Sequence, residues 1–247
     1  MHGLFFEFEQ YMDITFDSIR DIKLYQSKTG YRFSVDSLLL HDFVNLKKVD
    51  SIADLGAGSG IVGILLAKKY PESYVTLFEI QENLAGLAEK NVILNNLQDR
   101  VKVIQCDIRE IPTLQISPGF DLIVSNPPFR RLKSGLLSLG EEKAVARHEI
   151  KLNIHELIGA SSSLLKSKKR LCIIYHPWRL PELMDILKKN GIEPKRLRFV
   201  HSRISSEAKM VLLEAVKNGR AGLKVDRPFY IYNEKGDYTE EMKKIYT

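Results

Sequence analysis

The sequence predicts a doubly wound α/β fold, a mostly parallel sheet with helices on both faces. From residue 50 onward, short apolar runs alternate with segments of helical periodicity, as a parallel sheet covered on both sides requires. The first run leads directly into a glycine loop, Asp54-Leu55-Gly56-Ala57-Gly58-Ser59-Gly60, ahead of a helical pattern. The fourth leads into a stiff loop, Asn126-Pro127-Pro128-Phe129. Two loops of such special composition, each following a buried strand, belong at the carboxyl edge of the sheet, where open α/β folds bind ligands.

Ser51–Leu55 reads as the first strand, followed by a helix over Ile61–Lys69 that stops before Pro71. Residues 74–78 form the second strand, ending at Glu79. Leu84, Leu87, Ala88, Val92 and Leu97 recur at helical spacing. Residues 101–106 are the third strand, ending at Asp107, and Phe120–Ser125 the fourth, after a turn at Ser117-Pro118-Gly119. A helix around 157–165 precedes a fifth strand over 171–175. Pro181 opens and Gly191 closes a helix over 183–189, and strands over 197–201 and 210–216 complete the set. Residues 1–49 read as a helix-bearing N-terminal extension, with 1–11 a loose leader, and 50–247 as the main domain. Residues 130–150 form a polar insertion.

A chain of 247 residues with 44% hydrophobic content buries one sizeable core. No apolar run approaches a membrane span, and the N-terminal Leu4-Phe5-Phe6 lacks the length and basic flank of a secretory signal. Cys106 and Cys172 sit in apolar runs and read as buried reduced thiols, with no metal-binding spacing; a soluble cytoplasmic protein is expected. The net charge of +6 is uneven. Residues 1–150 hold 17 Lys and Arg against 20 Asp and Glu, whereas 151–247 hold 20 against 11. Such asymmetry raises the odds of a polyanionic partner, with a solvated basic surface the plain alternative. Lys168, Lys169 and Arg170 are candidates for its footprint, with Lys47 and Lys48 outside it.

The glycine loop admits two ligands. Gly58, Gly60 and Gly63 satisfy a dinucleotide-binding pattern, and Glu79 follows Gly58 by 21 residues. Asp54, at the strand tip, tilts the balance because it would repel a pyrophosphate. S-adenosylmethionine has no phosphate; an acid near the loop suits its ammonium, Glu79 its ribose hydroxyls, and Asp107 with Ile108 its adenine. The plain alternatives are a solvent-facing loop acid for Asp54 and a helix cap for Asp107.

At the second loop, two prolines fix φ and remove donors, so the backbone presents acceptors. The Asn126 side-chain oxygen and the Pro127 carbonyl can each accept one N–H of a planar amine. That favours a more tetrahedral nitrogen with its lone pair aimed at a methyl donor. Phe129 can stack on the substrate ring. A proline-stiffened strand end is the plain alternative.

These motifs resemble the class I S-adenosylmethionine-dependent amino-methyltransferases. Three further segments narrow the likeness: Gly30-Tyr31-Arg32-Phe33-Ser34-Val35-Asp36-Ser37-Leu38-Leu39-Leu40, Ala146-Arg147-His148-Glu149, and the tail Tyr238-Thr239-Glu240-Glu241 with Ile245-Tyr246. Together they are similar to the bacterial tRNA1(Val) adenine-N6 methyltransferase family, whose members act beside the anticodon of a valine tRNA. Phe129 stands where many relatives carry tyrosine, which keeps the stacking and loses a hydroxyl.

The resemblance implies a Rossmann-like class I methyltransferase fold with a seven-stranded sheet, the N-terminal extension capping the cofactor site, and tRNA as partner. It implies cofactor contacts from Phe33, Asp36, Asp54, Gly56, Gly58, Gly60, Glu79, Asp107, Ile108 and Asn126. Asn126, Pro127 and Phe129 are the implied catalytic set. Pro128, Phe129, Arg130, Arg131, Lys133, Arg147 and His148 would touch substrate. The same chemistry on a release-factor glutamine, a ribosomal guanine N2 or a DNA adenine is the alternative, and a nucleic-acid-binding protein without turnover the more distant one.

Overall fold

The computed structural model describes residues 14–27, 35–111, 119–127 and 153–246. The chain opens with a two-stranded antiparallel hairpin, β1 (Ile14–Ile19) and β2 (Ile22–Ser27), and helix α1 (Val35–Phe43). The main body then runs β3 (Ser51–Leu55), α2 (Ile61–Lys69), β4 (Tyr74–Glu79), α3 (Glu82–Leu94), β5 (Val101–Gln105) and β6 (Phe120–Ser125). It continues α4 (Ile154–Leu164), β7 (Leu165–Tyr175), α5 (Leu180–Lys189), β8 (Ile192–His201), β9 (Ala208–Lys217), β10 (Lys224–Val225), β11 (Phe229–Tyr230) and α6 (Glu240–Tyr246).

The sheet order is β10-β8-β9-β7-β6-β3-β4-β5, with β11 also on β8. β9 is antiparallel to both neighbours and every other pairing in this sheet is parallel. Seven strands form the expected sheet; β10 and β11 are two-residue additions on its outer edge. One face, with Ile52, Leu122, Val124 and Cys172, packs with residues of α1, α2 and α6. The other, with Ala53, Leu55, Ile123 and Leu171, packs on Leu157 and Ile158 of α4 and Leu183, Ile186 and Leu187 of α5. The chain direction reverses around β3, with β4 on one side and β6 on the other, so the switch point lies at the carboxyl ends of β3 and β6.

The N-terminal extension carries α1 as expected, and a hairpin besides. Its loop is Arg20-Asp21, with Arg20 at φ 52°, where two-residue hairpin loops favour glycine or asparagine; the Arg-Asp pair gives no such turn signal. Asn91 of α3 and Asn95, the residue that caps its C-terminus, take the place of a strand partner for β2. Asn91 Oδ1 accepts from Tyr25 N (2.7 Å) and its Nδ2 donates to Tyr25 O (3.0 Å). Asn95 repeats the pairing on Lys23, at 3.0 and 2.7 Å.

Helix α1 is held firmly at its C-terminal end. Lys69 Nζ donates to the carbonyls of His41 (3.2 Å) and Val44 (2.5 Å), satisfying groups that a helix leaves unpaired. Arg196 donates to the Phe43 carbonyl and stands 3.9 Å over the Phe43 ring. The His41 ring meets Arg20 at 3.0 Å. Burial, with Lys69 and Arg20 nearby, lowers the His41 pKa to about 3, so the ring is neutral and accepts from the guanidinium.

Candidate active site

The two loops meet at the switch point. Asp54 of β3 is in register with Val124 of β6, so Gly56 and Asn126, each two residues on, leave adjacent strands at the same level. Neighbouring strands run about 4.8 Å apart. Ser125 Oγ donates to Leu55 O (2.7 Å), tying the two strand ends together.

The glycine loop is closed on itself. Gly56 N and Ala57 N both donate to Phe78 O, and Gly60 N to Ala57 O, all at 2.9–3.0 Å. Gly58 N donates to Glu79 Oε2 (2.9 Å) and Gly63 N to Asp54 Oδ2 (3.0 Å). Gly56, Gly58 and Gly60 have φ of 75°, 58° and 86°, where a side chain would be strained. At Gly63 a Cβ would come within 2.1 Å of Leu77 Cδ2, so the glycine there serves close helix–sheet packing.

This wiring discriminates between the two ligands. A phosphate site needs free N–H groups at a loop and helix N-terminus. Here five of those N–H groups already have acceptors, two of them buried carboxylates. The loop fits a ligand without phosphate. Glu79 is buried, and its Oε1 accepts from Gln81 N (2.9 Å). Each of its oxygens thus holds one backbone donor and retains capacity for another, the geometry for two ribose hydroxyls. Ser59 Oγ is buried without a hydrogen-bond partner, an orphan group that a polar ligand at the loop would satisfy.

Asp54 is fully buried beneath the loop, which sets aside the solvent-facing alternative. Burial raises its pKa to about 7, opposed by the Gly63 N–H and reinforced by the Glu79 charge. A cationic ammonium near this pair would favour its ionised form. Asp107 stands at a turn: its Oδ1 accepts from Arg109 N (2.9 Å), and the Arg109 side chain pairs with the carboxylate, which holds it below its usual pKa. Ile108 is buried in the core face shared with Phe78. Asp36 lies in the first turn of α1.

Asn126 is partly exposed, and its Nδ2 donates to Ser37 Oγ of α1 (3.2 Å). Pro127 is buried. Phe33, Pro128, Phe129, Arg130, Arg131, Lys133, Arg147 and His148 lie outside the described residues, as do the leader 1–11 and the insertion 130–150. The chain nevertheless leaves the catalytic edge at Pro127. It re-enters at Asn153, which caps α4 at that same edge, since α4 descends directly into β7.

The structure places part of the candidate phosphate footprint. Arg170 of β7 is in register with Leu122 near the start of β6, so residues 168–170 lie toward the amino edge, opposite Asn126. They are also engaged. Lys169 pairs with Asp121 (3.1 Å), Arg170 with Glu214 (3.2 Å), and Lys168 with the Asn218 carbonyl. Lys47 and Lys48 precede β3 on that same edge. Linear charge counts carry no information about which edge a residue occupies.

Three residues escaped the sequence reading: Ser37, Asn91 and Trp178. Asn91 is buried on α3 and donates to Ser59 O (2.9 Å) as well as to β2. Its polar character inside an apolar helical stripe was the available signal. Trp178, 55% exposed, stands on a 3-10 turn just after β7, the strand next to β6. The Arg179 guanidinium lies 5.6 Å from its ring.

Fold and loop chemistry together define a class I methyltransferase with S-adenosylmethionine as cofactor. The model of the methyltransferase small domain matches residues 33–177. The chain belongs to that methyltransferase family and, within it, to the tRNA1(Val) (adenine(37)-N6)-methyltransferases. A protein of that name from Porphyromonas gingivalis is 30% identical over 203 residues, covering 80% of this chain and 79% of its own. Another, from a Flavobacteriaceae bacterium (strain 3519-10), is 25% identical over 90% of this chain and 89% of its own. Among solved structures, a predicted O-methyltransferase from Agrobacterium tumefaciens superposes with a TM-score of 0.68 at 22% identity, covering 85% of this chain and 94% of its own. The Thermus thermophilus 16S rRNA N2 G1207 methyltransferase, in complex with AdoMet and guanosine, gives 0.58 at 17% identity over 83% of this chain and 50% of its own. Both likenesses concern the fold.

Proposed function

We propose that this chain methylates the exocyclic N6 of an adenine beside the anticodon of a valine tRNA, the activity its relatives are named for. The observation that carries the mechanism is the level placement of Gly56 and Asn126 on adjacent parallel strands. Bound S-adenosylmethionine supplies a methyl group activated by its sulfonium. Glu79 accepts from the ribose hydroxyls, and the glycine loop holds the amino-acid end.

Asn126 Oδ1 and the Pro127 carbonyl accept the two N–H groups of the target amine, and Phe129 stacks on the flipped base. The protein's contribution is alignment for an in-line displacement. A dedicated base is not needed, because the product ammonium is acidic and sheds its proton afterwards. Residues 1–49 cap the cofactor site. This is supported by the bonds of Asn91 to Tyr25 and Ser59 and by the contact between Ser37 and Asn126.

Arg130, Arg131, Lys133, Arg147 and His148 are the residues proposed to meet the RNA. They belong to a segment whose two ends lie at the catalytic edge. No helix among the described residues is long and apolar enough to cross a membrane. With tRNA as its proposed substrate, the protein works in the cytoplasm.

Purified protein should label bulk tRNA with a radioactive methyl, and nucleosides from a deletion strain should lack one N6-methyladenosine. Asn126→Ala should keep S-adenosylhomocysteine affinity within a few-fold and cut turnover on the order of 10²-fold, about 3 kcal/mol of transition-state alignment. Label appearing in a release-factor glutamine or ribosomal guanine instead would reassign the substrate. Near-normal turnover by the variant would remove the loop from the mechanism.

A further inference from the structure

We infer that Ser37 is a positioning residue for the methyl-acceptor loop, setting the orientation of the Asn126 amide; this rests on the role given to Asn126 above. An asparagine amide has a donor end and an acceptor end, and only one of its two orientations suits the reaction. The target amine offers N–H groups, so Oδ1 must face it and Nδ2 must point away. In the structure Nδ2 is engaged elsewhere, donating to Ser37 Oγ at 3.2 Å across 89 residues of sequence, which leaves Oδ1 for the amine.

Ser37 is fully buried, flanked by the buried Leu38, Leu39 and Leu40. Its helix is anchored at the far end by Lys69, Arg196 and Arg20, and Leu46 N just beyond donates to Tyr70 Oη (3.0 Å). The hydroxyl therefore stands at a fixed place while the amide, on a loop, adapts to it. Without that acceptor, the amide loses its partner at Nδ2 and samples rotations in which Oδ1 no longer meets the substrate.

The effect should appear in turnover rather than in cofactor binding. One neutral hydrogen bond corresponds to about a 3- to 10-fold change, so Ser37→Ala should lower kcat by about that factor. S-adenosylhomocysteine affinity should stay within about two-fold. Ser37→Thr, which keeps the hydroxyl, should recover most of the rate.

The deciding comparison is a double-mutant cycle with Asn126→Ala. The Ser37→Ala change should have no further effect on kcat once the amide is gone. Equal losses in both backgrounds, or a loss that Ser37→Thr does not relieve, would make Ser37 a packing residue and overturn the inference. In that case a crippled Asn126→Ala still upholds the acceptor loop itself, whereas an active Asn126→Ala would remove both.

A second measurement needs no substitution at Ser37. In the wild-type protein, the Asn126 side-chain amide protons should exchange with water more slowly than those of the exposed Asn233. Exchange as fast as at Asn233 would overturn the proposal.

Discussion

Replacing Glu79 by alanine tests the cofactor site at a buried carboxylate. The carboxylate holds Gly58 N and Gln81 N, each at 2.9 Å, and its remaining acceptor capacity is the one proposed for the ribose hydroxyls. Two charge-assisted bonds to those hydroxyls are worth roughly 1.5–3 kcal/mol each. Their loss should weaken S-adenosylhomocysteine binding by about 10²–10⁴-fold. The loop would also lose its anchor at Gly58, which has φ 58°, so the variant should melt at a lower temperature even without ligand.

Glu79→Gln sharpens the test. Its amide can accept from only one of the two backbone N–H groups, and its NH₂ would face the other donor to donor. The glutamine variant should therefore also bind weakly, despite its near-identical shape. Calorimetry with S-adenosylhomocysteine reads both variants, since the product shares the ribose with the substrate. Wild-type affinity in Glu79→Ala, or tight NADH binding by the wild type, would refute the assignment of this loop.

Acid stability should report His41. Its folded pKa of about 3 lies below the ordinary 6.5, so the unfolded chain takes up a proton that the folded chain does not. Stability from this group is complete above pH 6.5 and falls by about 1.4 kcal/mol per pH unit below it. Asp54, raised to about 7, acts in the opposite sense between pH 3.8 and 7 and masks the trend. His41→Leu should therefore gain on the wild type by about 2 kcal/mol between pH 6.5 and 5, and parallel pH profiles in chemical denaturation would contradict the assignment.

Gly63→Ala places a methyl 2.1 Å from Leu77 Cδ2. It should cost about 1–3 kcal/mol of stability, measured by urea unfolding; a neutral result would mean that α2 moves freely off the sheet. For RNA binding, charge reversal at Arg130 and Arg131 should flatten the salt dependence of tRNA affinity by somewhat under one logarithmic unit of slope per lost phosphate contact. Reversal at Lys168 and Lys169, toward the amino edge, should leave the slope unchanged; the opposite ranking would move the RNA to the other edge.

Much of the architecture was legible because it rests on short-range rules. The helix at Ile61–Lys69 and the strand at Phe120–Ser125 fall where their periodicity and their flanking glycines and prolines put them. Local pattern reads poorly where the partner is distant. β7 begins at Leu165 rather than near 171: Leu165 and Arg170 pair with Phe120 and Leu122 of β6 across an irregularity in register, and Lys169 and Arg170 form ion pairs with Asp121 and Glu214. The hairpin β1–β2 was missed because its partners are two asparagine side chains about 70 residues away, on α3 and at its C-terminal cap.

The same division holds for the site. Sequence by itself determined where the glycine loop, Glu79 and the Asn126-Pro127 loop lie along the chain, since backbone conformation restricts those positions to few residue types. Tertiary structure decided which loop N–H groups remain for a ligand, that Asp54 lies under the loop, and that the basic residues 168–170 lie away from the catalytic edge. It alone brought Ser37 to Asn126. Strand register and edge follow from the packing of the whole sheet, where a residue's neighbours are set by strand order in space and not by distance along the chain.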